Sequence, residues 1–592
     1  MRAKRTAQAY RKILASLLIL VLAAFGAYRA ADALQYSLFT YQSPLSVIQV
    51  LPGDPMLPLT QRVVVVIVGG LGYDASRSVD MPNLETLLET GASARMTSQP
   101  PTYPLPAWTA LLTGVWPDLN NAPVLNAKAA DQRPIAFDHL FAAARDADQR
   151  TAIVGFEGWG TLLPANAADA AFYTSGEDAV ADGRVAEAAL NLIADPQYDL
   201  VLVYFSQVDA AGQADGINSV AYASAARQID NHLRQVIRLV DMSNSALIVT
   251  SDHGLTEDGR LGGSETDLTQ APFVMIGQNI IPGLYSSVHQ VDLAPTVAAL
   301  LGVRLPAVAQ GRPLYEMMQL DEETLTRGQL QVAEQKVALG DAYMIVIGED
   351  GLSQATHQDL ISAQQAALNG NQAGALELAN LVGDEASAEM AAARAARVAG
   401  ERLPRLGLVI VGLLVALLFS WGRRGPNTLV SIIGGSLAVG IYYGLYRLGG
   451  YTFSLSSVSN TDLFVTTLVR YAVIGLVGGG VLVLFGLLYQ DERIWSAALV
   501  AGYDFGLYAI FLAALPAMIG FWQHGATIRW YLPDLGLTLL HFVALVQVGV
   551  LALLAIPLPW LVALITWGTG RWRTYSEARV RAWDPIARLR RR

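Results

Sequence analysis

The chain contains no cysteine. That absence excludes disulfides, thiolate metal sites and a cysteine nucleophile, and leaves the compartment open. Charge is also scarce: 15% of the 592 residues are charged, against 53% that are hydrophobic. Soluble domains carry about 25% charged residues, so together with a mean hydropathy of +0.36 part of this chain is built for a bilayer. Positive charge is sparse in the middle: residues 32–403 hold 19 Lys and Arg against 43 Asp and Glu, a net −24, while the flanks carry +14. An acidic block of this kind excludes nucleic-acid binding by the central region.

Long apolar runs account for the flanks. Residues 13–28 follow the basic stretch MRAKRTAQAYRK. They read as a signal-anchor helix, the alternative being a signal peptide cleaved near residues 30–33. After Leu403 five further runs are long enough to cross a bilayer: 406–421, 429–446, 464–488, 497–521 and 535–567. Pro557 and Pro559 make the last either one kinked helix or a helix with a re-entrant end. Basic residues gather at the N-terminus, at Arg423–Arg424, in 490–493 and in the tail RVRAWDPIARLRRR, whereas 451–462 and 524–534 carry few. The positive-inside rule then predicts a multi-pass plasma-membrane protein with both termini cytoplasmic and the acidic block outside. Fixing topology accounts for the basic tail; binding anionic lipid is its functional alternative. Within the spans, Arg470, Asp504 and His541 are candidate functional ionisable groups, with Arg470 and Asp504 placed to pair and Arg470 alternatively snorkelling at a span end.

Residues 62–316 alternate short apolar runs with helical patterns. Strands are expected at 63–68, 151–154, 200–205, 246–250 and 273–276, and helices at 81–90, 135–146 and 220–240. The fold class is therefore α/β, a doubly wound and mostly parallel sheet with its chemistry at the carboxyl ends of the strands. Residues 320–402, rich in Ala, Gln and Glu, read as a helical stalk. The expected organisation is 1–34 tail and anchor, 35–318 ectodomain, 319–403 stalk, 404–570 an all-α membrane domain and 571–592 a basic tail.

The strand ends carry the motifs: VVIVGGLGYD from Val65, PPTYPLPAWTALLTG from Pro100, VLVYFSQVDAAGQADG from Val201, IVTSDHGLTEDGRLGGSE from Ile248 and VHQVDLAPTVAALLGV from Val288. In this order they resemble the alkaline phosphatase superfamily, in its type I phosphodiesterase/nucleotide pyrophosphatase branch, over about residues 62–316. The combination with a multi-span membrane domain is similar to the ethanolamine-phosphate transferases of GPI-anchor synthesis, a likeness of architecture.

The resemblance implies two metal ions, one activating a Ser or Thr nucleophile, both stabilising an in-line displacement. Carried over residue by residue, it implies ligands at Asp209, Asp252 and His253, and finds Gly69 at the first aspartate position, Pro104 at the nucleophile, Gln213 at one histidine and Leu261 at another. Three of seven positions remain. Thr102 is the nearest substitute nucleophile, with Thr109, Asp74 and Asp215 as more distant replacements. A two-residue shift moves a side chain by roughly 6–7 Å along an extended segment, too far for a metal bond of about 2 Å. Asp209, Asp252 and His253 either persist to hydrogen-bond strand-end loops or hold one weakly bound Zn or Mn. Trp108 is expected in the core, His289 as a packing or capping residue, and Gly69–Gly72 as a tight turn in preference to a phosphate cradle.

The leading expectation is a degenerate ectodomain that binds a phosphorylated ligand or a partner protein beside membrane lipids. The alternatives are an active metal-dependent phosphodiesterase or lipid head-group phosphotransferase using Asp209, Asp252 and His253, and a membrane transport or lipid-handling protein.

Overall fold

A computed structural model describes residues 2–126, 132–425, 427–458, 461–489 and 495–569, with side chains from residue 7 onward. The basic loop 490–493 and the tail 571–592 lie outside the described residues.

The α/β domain is built on one sheet. Its strands are β1 (Arg62–Val68), β2 (Ala92–Thr97), β3 (Thr151–Phe156), β4 (Ala170–Thr174), β5 (Leu200–Phe205), β6 (Ser245–Thr250), β7 (Gln270–Gly277) and the two-residue β8 (Gly283–Leu284) and β9 (Val288–His289). The order is β4-β3-β5-β1-β6-β7-β2-β8, with β9 also on β2. Strands β4, β3, β5, β1 and β6 run parallel; β7 is antiparallel to both β6 and β2. The apolar runs of β1, β5 and β6 are the signature of strands covered on both faces, and nearly every residue in them is buried. Val63 pairs with Leu200 on one side and Ala246 on the other. The carboxyl ends of these three strands therefore converge, bringing Gly69, Asp209 and Asp252 to one end of the sheet.

Two expectations need correction. The helix expected over 135–146 spans only Leu140–Asp146. His139 caps it, its Nδ1 accepting from the Ala142 amide, and the Ile135 amide bonds Leu162 O instead of a helical partner. Strands β2 and β4 were missing from the sequence reading. β2 (ASARMT) is broken by Ser, Arg and Thr, and β4 is only partly buried, so neither shows the apolar run that marks the central strands.

The stalk consists of three helices, Glu322–Val346, Gln354–Leu368 and Gln372–Gly422. The last has 51 residues and runs through Pro404, so the boundary expected at 403/404 falls inside one helix. At 1.5 Å per residue it is about 76 Å long, a continuous rod from the α/β domain into the apolar region.

Among the described residues six helices are long and apolar enough to cross a membrane: Ala7–Phe39, the C-terminal part of Gln372–Gly422, Thr428–Leu448, Thr461–Tyr489, Trp495–His524 and Leu535–Leu554. Their outward surfaces expose Leu417, Leu418, Trp421 and Phe485, which water would not tolerate in such density. The last apolar run is neither one kinked helix nor a uniform span: it ends at Leu554, turns over 555–557 and resumes as Leu558–Thr569. Asp504 does not pair with Arg470. Its carboxylate is buried against Arg423, whose guanidinium also reaches Ser16 Oγ, while Arg470 is exposed.

Candidate functional site

Asp252 and His253 follow β6, and Asp209 lies in the first turn of the helix Gln207–Asp215 after β5. All three are buried. The Asp182 carboxylate places that helix by accepting from the Ser206 and Gln207 amides, and burial pushes Asp182 up to about 6.

Asp252 has no free acceptor direction. Oδ1 accepts from the Gly70 amide (3.2 Å) and from the His253 amide (2.9 Å). Oδ2 accepts from Trp108 Nε1 (2.7 Å) and Tyr204 Oη (3.3 Å). A carboxylate offers about four lone-pair sites, and all four are taken by protein. The glycine loop is committed here too. Gly70 has φ +72°, where a side chain is strained; its amide serves Asp252, its carbonyl accepts from Tyr222 Oη, and the Leu71 amide bonds Ser251 Oγ. The loop braces a carboxylate and cradles no external phosphate.

Tyr204 explains Gly69. In the register of β1 and β5, Ile67 pairs with Tyr204 and Val68 with Phe205. A methyl group built on Gly69 would overlap the Tyr204 phenol. The phenol thus occupies the space that an aspartate side chain at 69 would need. Trp108 stacks on Trp159 at 4.6 Å, and Tyr204 meets both edge-on at 5.0 and 5.6 Å. Trp108 is in the core as expected, and its indole N–H additionally holds Asp252, a role the sequence did not reveal.

Asp209 Oδ2 accepts from Gln213 Nε2 at 2.9 Å, so the amide at the histidine position bonds the neighbouring carboxylate. Asp209 Oδ1 and His253 Nε2 are buried without a hydrogen-bond partner. His253 Nδ1 bonds Gly254 O at 3.0 Å, and Nε2 lies 3.7 Å from Asp252 Oδ2. Burial works against the imidazolium, but Asp252 and Asp209, with the Gly254 carbonyl, raise His253 above its ordinary value. Burial likewise raises Asp209, which His253 and Gln213 oppose. The two carboxylates thus favour a proton on His253, which burial opposes.

The nucleophile loop carries no hydroxyl at the expected nucleophile position. Pro104 begins the helix Pro104–Thr113 and has no hydroxyl. Pro106 removes another amide from the first turn, where helices otherwise bind anions. Thr102 is no substitute: its hydroxyl donates to Gly263 O (3.1 Å) and accepts from the Gly262 amide (3.0 Å). Thr109 bonds Leu105 O within its helix. Asp74 and Asp215 are exposed. Leu261 is buried. His289 caps a short 3-10 turn with Asp292, as expected of a capping residue.

The residues do not fit the family's metal pair. Among the described residues no three His, Asp or Glu side chains converge as a ligand set; Asp252 Oδ2 faces an indole and a phenol, and Oδ1 two backbone amides. The orphaned Asp209 Oδ1 and His253 Nε2 make two donors, below the three protein ligands usual for zinc.

The mouth of the cleft is covered by the membrane domain. Glu265 accepts from Ser454 Oγ (2.9 Å) and Ser456 Oγ (2.5 Å), Tyr103 Oη donates to Leu455 O, and the Ser264 amide bonds Ser454 Oγ. Loop residues 454–456 join two spans, so the cleft faces the bilayer side. Beside it a polar recess is lined by Asp258, Arg260, Tyr451 and Ser457.

A family model for type I phosphodiesterase / nucleotide pyrophosphatase matches residues 63–120 and 135–278. Human GPI ethanolamine phosphate transferase 2, catalytic subunit, is 26% identical over 291 residues, covering 44% of this chain and 29% of the relative. The mouse GPI ethanolamine phosphate transferase 3 catalytic subunit is 26% identical over 295 residues, covering 45% and 26%. The chain thus spans about a quarter to a third of these relatives' length. Human ectonucleotide pyrophosphatase / phosphodiesterase 5 superposes with a TM-score of 0.36 at 14% identity, covering 44% of this chain and 99% of that one.

Proposed function

We propose, from the premise that residues 63–278 form a type I phosphodiesterase / nucleotide pyrophosphatase domain on a multi-pass membrane protein, that the domain binds a phosphorylated lipid head group and does not cleave it. One observation carries the reading: the Tyr204 phenol fills the space of the missing first ligand at Gly69, and with Trp108 saturates Asp252. The relatives supply the ligand class, being by name transferases of ethanolamine phosphate. The position of the cleft mouth on the membrane domain supports delivery from the bilayer. In this reading Asp209, Asp252 and His253 hold the strand ends together, while recognition falls to the rim, where Arg260, paired through one terminal nitrogen with Asp258, keeps its Nε without a partner among the described residues beside Tyr451.

The relatives favour a second reading, an active lipid head-group phosphotransferase. It requires a hydroxyl and a metal ligand set that the loops assemble only by rearranging.

The two readings separate in one assay. The full-length protein in lipid nanodiscs containing phosphatidylethanolamine labelled in its head group is incubated with zinc or manganese. Retention of label without release of ethanolamine phosphate is the expected result. Release by the native chain, lost in Asp252→Asn, establishes cleavage of the phosphodiester by attack of water and overturns the non-cleaving reading.

A further inference from the structure

A second cavity lies away from the cleft, where the stalk meets the α/β domain. It has a volume of about 130 Å³ and is walled by Leu119 and Gln310 of the α/β domain, Lys336 and Tyr343 of one stalk helix, and Met390 and Arg394 of the helix that continues into the membrane. None of these residues belongs to the motifs at the strand ends.

The polar groups here are out of balance. Lys336 makes no hydrogen bond or ion pair among the described residues, although it is half-buried. Asp384 and Asp292 act on it only from a distance, and Asp292 is occupied by the His289 and Arg312 amides. Gln310 spends its carbonyl oxygen on the Trp116 amide at 2.9 Å, which leaves its Nε2 hydrogens without a protein acceptor. Tyr343 is 2% exposed, yet its hydroxyl has no hydrogen-bond partner. Arg394 is different: Asp118 neutralises it, and it also bonds Leu532 O. Among the described residues no side chain accepts from these three donors and Lys336 has no ion pair; they line one cavity beside apolar Leu119 and Met390. One entering acceptor group can therefore answer all three at once.

We propose that this cavity is a binding site for a small amphipathic monocarboxylate. Its oxygens accept from Lys336 Nζ, Gln310 Nε2 and the Tyr343 hydroxyl, and its apolar body lies on Leu119 and Met390. One free cation matches one negative charge; a phosphate dianion would leave a charge unpaired in a half-buried site. The site touches the α/β domain, two stalk helices and, through Arg394 and Leu532, the loop before the last span. A bound carboxylate therefore braces the ectodomain against the membrane domain, a regulatory role separate from the strand-end cleft.

The test uses the full-length protein in a non-ionic detergent, titrated with benzoate, with benzyl alcohol and with inorganic phosphate, read by thermal unfolding. Benzoate raises the melting temperature in a saturable way, and the other two do not. Lys336→Met weakens benzoate binding by about tenfold or more, the scale of a lost charge-assisted hydrogen bond. Tyr343→Phe, which keeps the packing, weakens it by several fold and decides the matter if Lys336→Met fails to fold. An equal response to benzyl alcohol, an equal response to phosphate, or unchanged benzoate binding in the variants that fold overturns the proposal.

Discussion

The strand-end cleft and the cavity at the stalk seam invert what their positions suggest. The cleft sits where an α/β sheet places its chemistry and keeps Asp209, Asp252 and His253, yet Asp252 is fully occupied by Trp108, Tyr204, Gly70 and its own neighbour. The seam carries no motif, yet Lys336, Gln310 and Tyr343 keep donors unspent. A site is therefore read from the balance of donors and acceptors, and retained residue identities alone do not make one. In the cleft the acceptors of Asp252 are met internally, by two aromatic donors and two backbone amides. At the seam no side chain among the described residues accepts from the donors.

The strongest way to break this comparison is to restore an acid in the cleft. Gly69→Asp puts a carboxylate into the space of the Tyr204 phenol and beside Asp252. A loss of about 4 kcal/mol is expected from overpacking and buried like charge, measured by chemical unfolding of the full-length protein. Tyr204→Ala in the same chain should recover part of it. Full tolerance of Gly69→Asp alone would show that the cleft is open after all.

Acid tests the side of the domain that faces the stalk. His139 caps its helix next to Asp138, which accepts from the Ala307 amide, while Ala307 O is held by Gln335 of the stalk. Burial pushes His139 down to about 4, with Asp138 opposing. The unfolded chain titrates near the ordinary imidazole value of about 6.5. Protons therefore bind the unfolded chain first, so this contribution is complete above about pH 6.5 and is lost as pH falls towards 4, amounting to roughly 3 kcal/mol. His139→Asn, which keeps an acceptor at the cap, should flatten the melting temperature between pH 7 and 4.5.

Trp108→Phe sharpens the account of Asp252. It keeps the stacking on Trp159 but leaves Asp252 Oδ2 with only the longer bond from Tyr204, and should cost roughly 2 kcal/mol by chemical unfolding. A neutral outcome would mean that water replaces the indole and that the cleft is wetter than described. The smallest expected effect is at the mouth. Glu265→Gln weakens two charge-assisted bonds from Ser454 and Ser456, costing about 1 kcal/mol, and should speed hydrogen exchange in 454–456 without changing exchange in β1 or β6.

Much of this was legible in the sequence. The apolar runs of β1, β5 and β6 marked the central strands because burial on both faces demands such runs. Glycine, proline, glutamine and leucine at 69, 104, 213 and 261 signalled the emptied ligand positions. Tyr204 was not legible as the filler. A polar-tipped aromatic near the end of a strand, across from a glycine, is the trace it leaves, and only the parallel register pairs the two. The bond from Trp108 to Asp252 spans 144 residues and those from Ser454 and Ser456 to Glu265 about 190. No periodicity encodes contacts of that kind. Arg423 was hidden for the opposite reason: it looked like a topology signal, and its pairing with Asp504 needed the packing of three helices.

The central claim is that the cleft has exchanged its metals for its own side chains. It is tested most directly by elemental analysis of the purified full-length chain after dialysis against zinc and manganese. The account predicts less than one tightly held metal per chain, unchanged in Asp252→Asn. About two metals per chain, lost in that variant, would contradict it.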